Sequence, residues 1–175
     1  MAETAYIALG SNLGDRLAAI ESAVRSLRAT PGVTITTVSE VVESKPIGPA
    51  CQNDYLNAAV RLETTLSPRR LLQRCQEIEA EHGRNRAEER RWGPRPLDLD
   101  LLMCGESVID EPDLTVPHPL MHKRDFVLRP LAQIAPGALH PVLKVTVESL
   151  LSSLPAETAM EYAPDVSCSL GWLSR

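Results

Sequence analysis

Apolar residues along the chain switch between a period of two and a period near 3.6, and those switches mark out the elements. Residues 4–9, TAYIAL, form a short β-prone run that ends in GSNLGD. Over residues 15–28, Leu17, Ile20, Ala23 (or Val24) and Leu27 recur at helical spacing, which predicts a helix capped by Asn12 or Asp15. Pro31-Gly32 breaks the pattern, and VTITTVSEVVE at 33–43 reads as a strand because it is rich in β-branched residues. SKPIGPACQND, 44–54, is a turn-rich loop, and YLNAAVRLET, 55–64, alternates as a second long strand. Ser67-Pro68 opens another helix, with Leu71, Leu72, Cys75 and Ile78 inward and Gly83 as its stop. After a polar loop at 84–96, a strand follows at 97–103, then a tight turn at Gly105-Glu106 and strand-like residues 107–109. EPDLTVPHPLMHKR reads as extended, 125–134 and 147–154 as helices, and everything beyond Pro155 as a loosely held tail.

Strand, helix, strand, strand, helix, strand is the order of a split βαβ unit. It predicts an α+β, ferredoxin-like βαββαβ fold: an antiparallel sheet with helices on one face, the other face open, and further C-terminal elements. At 175 residues the chain is expected to form one domain, with residues 155–175 as an extension. No apolar run approaches the length of a bilayer span, and MAETAYIALG lacks the basic start of a secretory signal. Four scattered cysteines without a C-x-x-C pair fit a reduced compartment, so a cytoplasmic location is expected.

A net charge of -5 argues against a general nucleic-acid partner, which needs a basic face, and the six aromatic residues include no stacking run for RNA. The positive charge is nevertheless uneven. All but Lys45, Lys123 and Lys144 of the 18 basic residues are arginine, and Arg84, Arg86, Arg90, Arg91 and Arg95 crowd one segment. A planar guanidinium matches phosphate in two-point contact, so this loop suggests a small phosphorylated ligand.

The loop leads into RWGPRPLDLDLL. On a strand, Leu97, Leu99 and Leu101 face the helices while Asp98 and Asp100 share the open side, about 6.6 Å apart at Cα. Two adjacent carboxylates repel unless a cation lies between them, and Mg2+ takes such oxygen ligands together with substrate phosphates. Trp92 presents a flat face for a ring, and Tyr55 and Asn57 share a strand face suited to a heteroaromatic edge. His118 and His122 have zinc-like spacing, but Pro117 and Pro119 keep them off one helix. GSNLGD fits neither a dinucleotide fingerprint nor a P-loop.

Taken together, YIALGSNLGDR, KPIGP followed by DYLNAAV, RWGPRPLDLDLL and LTVPHPLMHKRDFVLRPLAQIAP resemble the 6-hydroxymethyl-7,8-dihydropterin pyrophosphokinases of the folate pathway. The resemblance runs in order from Tyr6 to about Pro136. It implies transfer of the β,γ-diphosphate of ATP to the pterin hydroxymethyl group, with release of AMP. It also implies two Mg2+ ions on Asp98 and Asp100, and phosphate-engaging roles for Arg84 and Arg95. By the same resemblance, Gln76, Glu79, Arg86, Trp92, His118 and Arg124 belong to the ATP site. Ser44, Ile47, Tyr55, Asn57 and Phe126 belong to the pterin site, with the ring between Tyr55 and Phe126. Asp113 stands where many members carry arginine and receives no ATP contact. Small-molecule substrates, no membrane and a monomer are expected. The competing reading is a non-catalytic ferredoxin-like ligand-binding module, against which the retained D-x-D and both phosphate arginines speak.

Overall fold

The computed structural model describes residues 1–46, 52–85, 93–155 and 161–162 of the 175. The elements run β1 (Glu3–Ser11), α1 (Arg16–Arg28), β2 (Val33–Val38), β3 (Val42–Ser44), β4 (Tyr55–Thr64), α2 (Pro68–Glu81) and β5 (Asp98–Cys104). They continue with β6 (Ile109–Glu111), β7 (Leu114–Val116), α3 (Asp125–Ile134), α4 (Val147–Ser152) and β8 (Glu161–Tyr162). The main sheet is antiparallel. β1 lies between β5 and β4, and β4 pairs on its other side with β2 and then β3. With β2 and β3 counted as one interrupted strand, this is the ferredoxin-like order expected from the pattern.

The interruption itself was not expected. Residues 33–43 read as one strand, but the ladder stops at Val38 and resumes at Val42. Ser39 explains the break. Its backbone N–H donates to the Ala59 carbonyl at 2.9 Å, while its hydroxyl accepts from the Ala59 N–H at 2.8 Å. A side chain thus substitutes for a ladder partner, which lets the strand turn without leaving buried polar groups unpaired.

Helices α1 and α2 pack on one face. Ile20, Ala23, Val24 and Leu27 of α1 and Leu71, Cys75 and Ile78 of α2 meet Ile7, Leu9, Val60, Leu62, Leu99 and Leu101 of the sheet. The caps follow from local chemistry. Asp15, rather than Asn12, caps α1 by accepting from the Ala18 N–H at 3.0 Å. Ser67 caps α2 with Pro68 behind it, and Gly83 ends the turn at a φ of 83°.

The opposite face is only partly open. A bulge in the β1–β5 ladder between Tyr6 and Ile7 carries Leu102 and Met103 into a second core, with Ala59, Met121, Val127, Leu128, Leu131, Val147 and Leu150. So α3 and α4 roof part of the face expected to be free, and they leave the ends of β1, β4 and β5 uncovered. Two further differences lie outside this frame. The strand expected at 107–109 lies at Ile109–Glu111 instead, and with β7, inside the segment read as extended, it forms a hairpin that Arg69 of α2 holds through Glu111 and Asp113. Glu161 and Tyr162 of the expected tail pair with β3. Among the described residues no helix is long and apolar enough to cross a membrane.

Candidate active site

The uncovered strand ends surround a cavity of about 280 Å3. Its floor is the sheet, where Gly10 lies opposite both Asn57 and Asp98, and Ala8 opposite Asp100. Gly10 and Ala8 carry no bulk, so the polar groups of β4 and β5 line one hollow across β1. That signal was available in YIALG but only acquires meaning once the register is known.

Asp98 and Asp100 point into this hollow, while Leu97, Leu99 and Leu101 are buried among the helices, as the alternation predicts. Asp98 is held between two guanidinium groups. Arg84 Nη1 donates to Asp98 Oδ1, and Arg95 Nη1 donates to Asp98 Oδ2 at 2.7 Å. Burial pushes the Asp98 carboxyl upward, but the charges of Arg84 and Arg95 outweigh it and hold the group below its usual range. Among the described residues Asp100 has no such partner at close range. His118 Nε2 and Arg124 Nη1 stand 3.7 and 3.8 Å from its Oδ2. Burial, and then the neighbouring Asp98 charge, push Asp100 up to about 7. The two carboxylates therefore differ: one is fully ionised at neutral pH, and the other is half-way to ionisation until positive charge arrives.

The supports of this pair come from α2 and from the loop after β1. Glu79 is 1% exposed, and its Oε1 accepts from Arg84 Nη1 at 2.5 Å and from the Leu99 N–H at 2.8 Å. It reaches the hollow through Arg84 rather than directly. Gln76, one turn earlier, is half-buried and outside the cavity lining. Asn12, read from the sequence only as a possible helix cap, is fully buried and grips Arg95 instead. Its Oδ1 accepts the Arg95 N–H at 2.7 Å, and its own N–H donates to the Arg95 carbonyl at 3.1 Å. Its amide also donates to Gln52 Oε1 and to the Asn53 carbonyl, so Asn12 joins the arginine segment to the segment before β4. Nothing in GSNLGD announces this role; it needs two loops distant in sequence to meet.

His118 is fixed by its N–H bond to the Leu102 carbonyl at 2.8 Å. Its Nδ1 accepts from the Leu120 N–H, which leaves the proton on Nε2, facing Asp100. Burial and the nearby Arg124 hold the ring down at about 4, so it is neutral at physiological pH. Arg124 lies 5.7 Å over the Phe126 ring. Across the hollow, Asn57 Nδ2 donates to Ser44 Oγ at 2.9 Å, and Tyr55 Oη donates to the Gly93 carbonyl at 3.3 Å. Ser44, Tyr55, Asn57, Arg95, Arg124 and Phe126 all line the cavity with the two aspartates. Ile47, Arg86 and Trp92 lie outside the described residues.

A model of the 7,8-dihydro-6-hydroxymethylpterin-pyrophosphokinase family matches residues 6–136. The chain belongs to that family. Among its pyrophosphokinase relatives, the 2-amino-4-hydroxy-6-hydroxymethyldihydropteridine pyrophosphokinase of Haemophilus influenzae is 44% identical over 145 residues, covering 83% of this chain and 89% of the relative. The enzyme of the same name from Bacillus subtilis is 48% identical over 134 residues, or 77% of this chain and 79% of that one. In structure, the Plasmodium falciparum HPPK-DHPS crystal structure superposes with a TM-score of 0.67 at 14% identity, which bears on the fold alone. That match covers 87% of this chain and 44% of the Plasmodium chain. The pyrophosphokinase match spans the described lining of the hollow, from Ala8 on β1 through the aspartates to Val127.

Proposed function

We propose that the chain transfers the β,γ-diphosphate of ATP to the hydroxymethyl group of 6-hydroxymethyl-7,8-dihydropterin, releasing AMP, as a step of folate biosynthesis. The observation that carries this reading is the convergence, in one hollow, of a carboxylate pair, two arginines and an aromatic, amide-lined wall. The family membership supports it.

The carboxylate pair suits Mg2+. All its donors are carboxylate oxygens, and the upward push on Asp100 is repulsion that a cation would relieve. Among the described residues no group of three or more His, Cys, Asp or Glu side chains is placed to hold a metal ion. Such a sparse protein set fits an ion that takes its remaining ligands from phosphate and water. Two ions on Asp98 and Asp100 remain our expectation for the ATP complex. When bound, Mg2+ supplies charge neutralisation along the phosphate chain and lowers the pKa of a coordinated hydroxyl.

The protein's own residues do the rest by position and charge, which is most of what phosphoryl-type transfer requires. Arg84 and Arg95 converge on Asp98, so with Mg2+ held by the two aspartates both guanidinium groups would be placed beside the phosphates of ATP, Arg84 still braced by Glu79. Charge that develops on the transferred group then meets two fixed donors. Arg124 and neutral His118 border the nucleotide side, with Gln76 and Glu79 in support and Arg86 and Trp92 assigned there by resemblance. Ser44, Tyr55, Asn57 and Phe126, with Ile47 by resemblance, hold the pterin: the rings stack, and the Asn57 amide meets the heteroaromatic edge.

The test is direct. Protein, ATP, Mg2+ and the dihydropterin are mixed, and AMP is followed by chromatography. The proposal expects AMP and pterin diphosphate in equal amounts, dependent on both substrates and on Mg2+. AMP at background, with both ligands bound, would leave a binding module in place of an enzyme.

A further inference from the structure

Arg16 is the first residue of α1, where a cation faces the positive end of the helix dipole. Its side chain turns to the underside of the pterin-side strands instead of to solvent. Nη1 donates to Glu43 Oε1 at 2.7 Å and to the Asp54 carbonyl at 2.6 Å. The Arg16 and Glu43 side chains are 30% and 34% exposed, so the pair is partly shielded from solvent.

The two acceptors sit at the two ends of segment 45–54. Glu43 is the middle residue of β3 and pairs with Leu56, on the helix side of the sheet. Its neighbour Ser44 projects the other way, into the hollow, where its hydroxyl accepts from Asn57. Asp54 directly precedes Tyr55, the first residue of β4. β3 itself contributes three residues to the ladder with β4, so the end of the strand that carries Ser44 has few backbone bonds of its own to β4. Lys45 and Asp54 also meet, at 2.7 Å, but the Lys45 side chain is 85% exposed and such a bond constrains little.

We infer that Arg16 is a positioning residue for the pterin site: from beneath the sheet, one guanidinium nitrogen pins the strand carrying Ser44 to the residue before Tyr55. Both protons of Nη1 are used, one for each wall. Asn57 then finds the Ser44 hydroxyl in place, and the pocket is formed before the ring enters, so less binding energy is lost to ordering it. The inference rests on the pyrophosphokinase reading for the identity of what fills the pocket.

The experiment compares wild type with Arg16→Ala, Arg16→Lys, Glu43→Ala and the Arg16→Ala/Glu43→Ala double variant. KM is measured for the dihydropterin and for ATP, with kcat, and folding is monitored by circular dichroism. Arg16→Ala is expected to raise the dihydropterin KM about tenfold, as loss of a charge-assisted contact implies, while kcat and the ATP KM stay within about twofold. Arg16→Lys should recover most of the loss, and the double variant should lose no more than Arg16→Ala, because Arg16→Ala already removes the contact that Glu43→Ala deletes. An unchanged dihydropterin KM in folded Arg16→Ala overturns the inference alone, as does a loss shared equally with ATP. Should Arg16→Ala fail to fold, Glu43→Ala decides by the same split. A wild-type chain that forms no AMP overturns the pyrophosphokinase reading and this inference with it.

Discussion

Asp100 is the residue whose environment leaves it poised to ionise, and the proposed chemistry turns on it. In the metal-free protein its folded-state pKa, raised to about 7, lies above that of an unfolded carboxyl. The folded state therefore binds more protons than the unfolded chain between about pH 4 and pH 7, and this group makes the fold less stable as pH rises through that window. Asp100→Asn removes the penalty. It is expected to raise the Tm of the metal-free protein at pH 8 by roughly 2 °C or more, while turnover falls at least about a hundredfold. A differential scanning measurement beside an AMP assay checks both. The same proton competes with Mg2+, so the metal dependence of activity should weaken as pH falls below about 7. The alternation LDLDLL made the pair and its shared face legible. The difference between the two aspartates was not legible, because it depends on Arg84 and Arg95 both choosing Asp98.

At the scale of elements, α2 serves the site through a buried acid. Glu79 was foreseen as a site residue one turn from Gln76, but its burial beneath Arg84 follows only from the packing of α2 on β5. Glu79→Gln weakens a buried charged contact, and it is expected to cost about 2–3 kcal/mol of stability, read as a lower urea midpoint, with reduced turnover. Ser67→Ala, at the start of the same helix, should cost about 1 kcal/mol and leave turnover as it is. The contrast between these two variants separates the helix as scaffold from the helix as support for Arg84. Helix starts and stops were readable in Ser67-Pro68 and Gly83 because capping is local chemistry. The break of the second strand at Ser39 was not, since the hydroxyl acts on a partner at Ala59, and a β-branched run has no local mark for it.

For the whole molecule, one sheet carries two cores, and the site lies where the second core stops. Elements whose apolar faces have a helical or strand period were legible, and so was their ferredoxin-like order. Which face α3 would cover was not, because a helix's amphipathic pattern states that it packs without stating against what. The consequence is that Phe126 and Val127 come to the hollow from the roof, whereas Tyr55, Asn57 and the aspartates come from the floor. In the proposed function, floor and roof together would take two ligands, a nucleotide anchored through the carboxylate pair and a flat ring held against the aromatic wall. The central claim is that the carboxylate pair binds the nucleotide through Mg2+. Calorimetric titration of a non-hydrolysable ATP analogue, with Mg2+ and with chelator, into wild type and Asp100→Asn tests it most directly. The account predicts tight binding for wild type with Mg2+ only, and none of that metal-dependent gain in Asp100→Asn; equal affinity with and without Mg2+, or an unaltered gain in the variant, would contradict it.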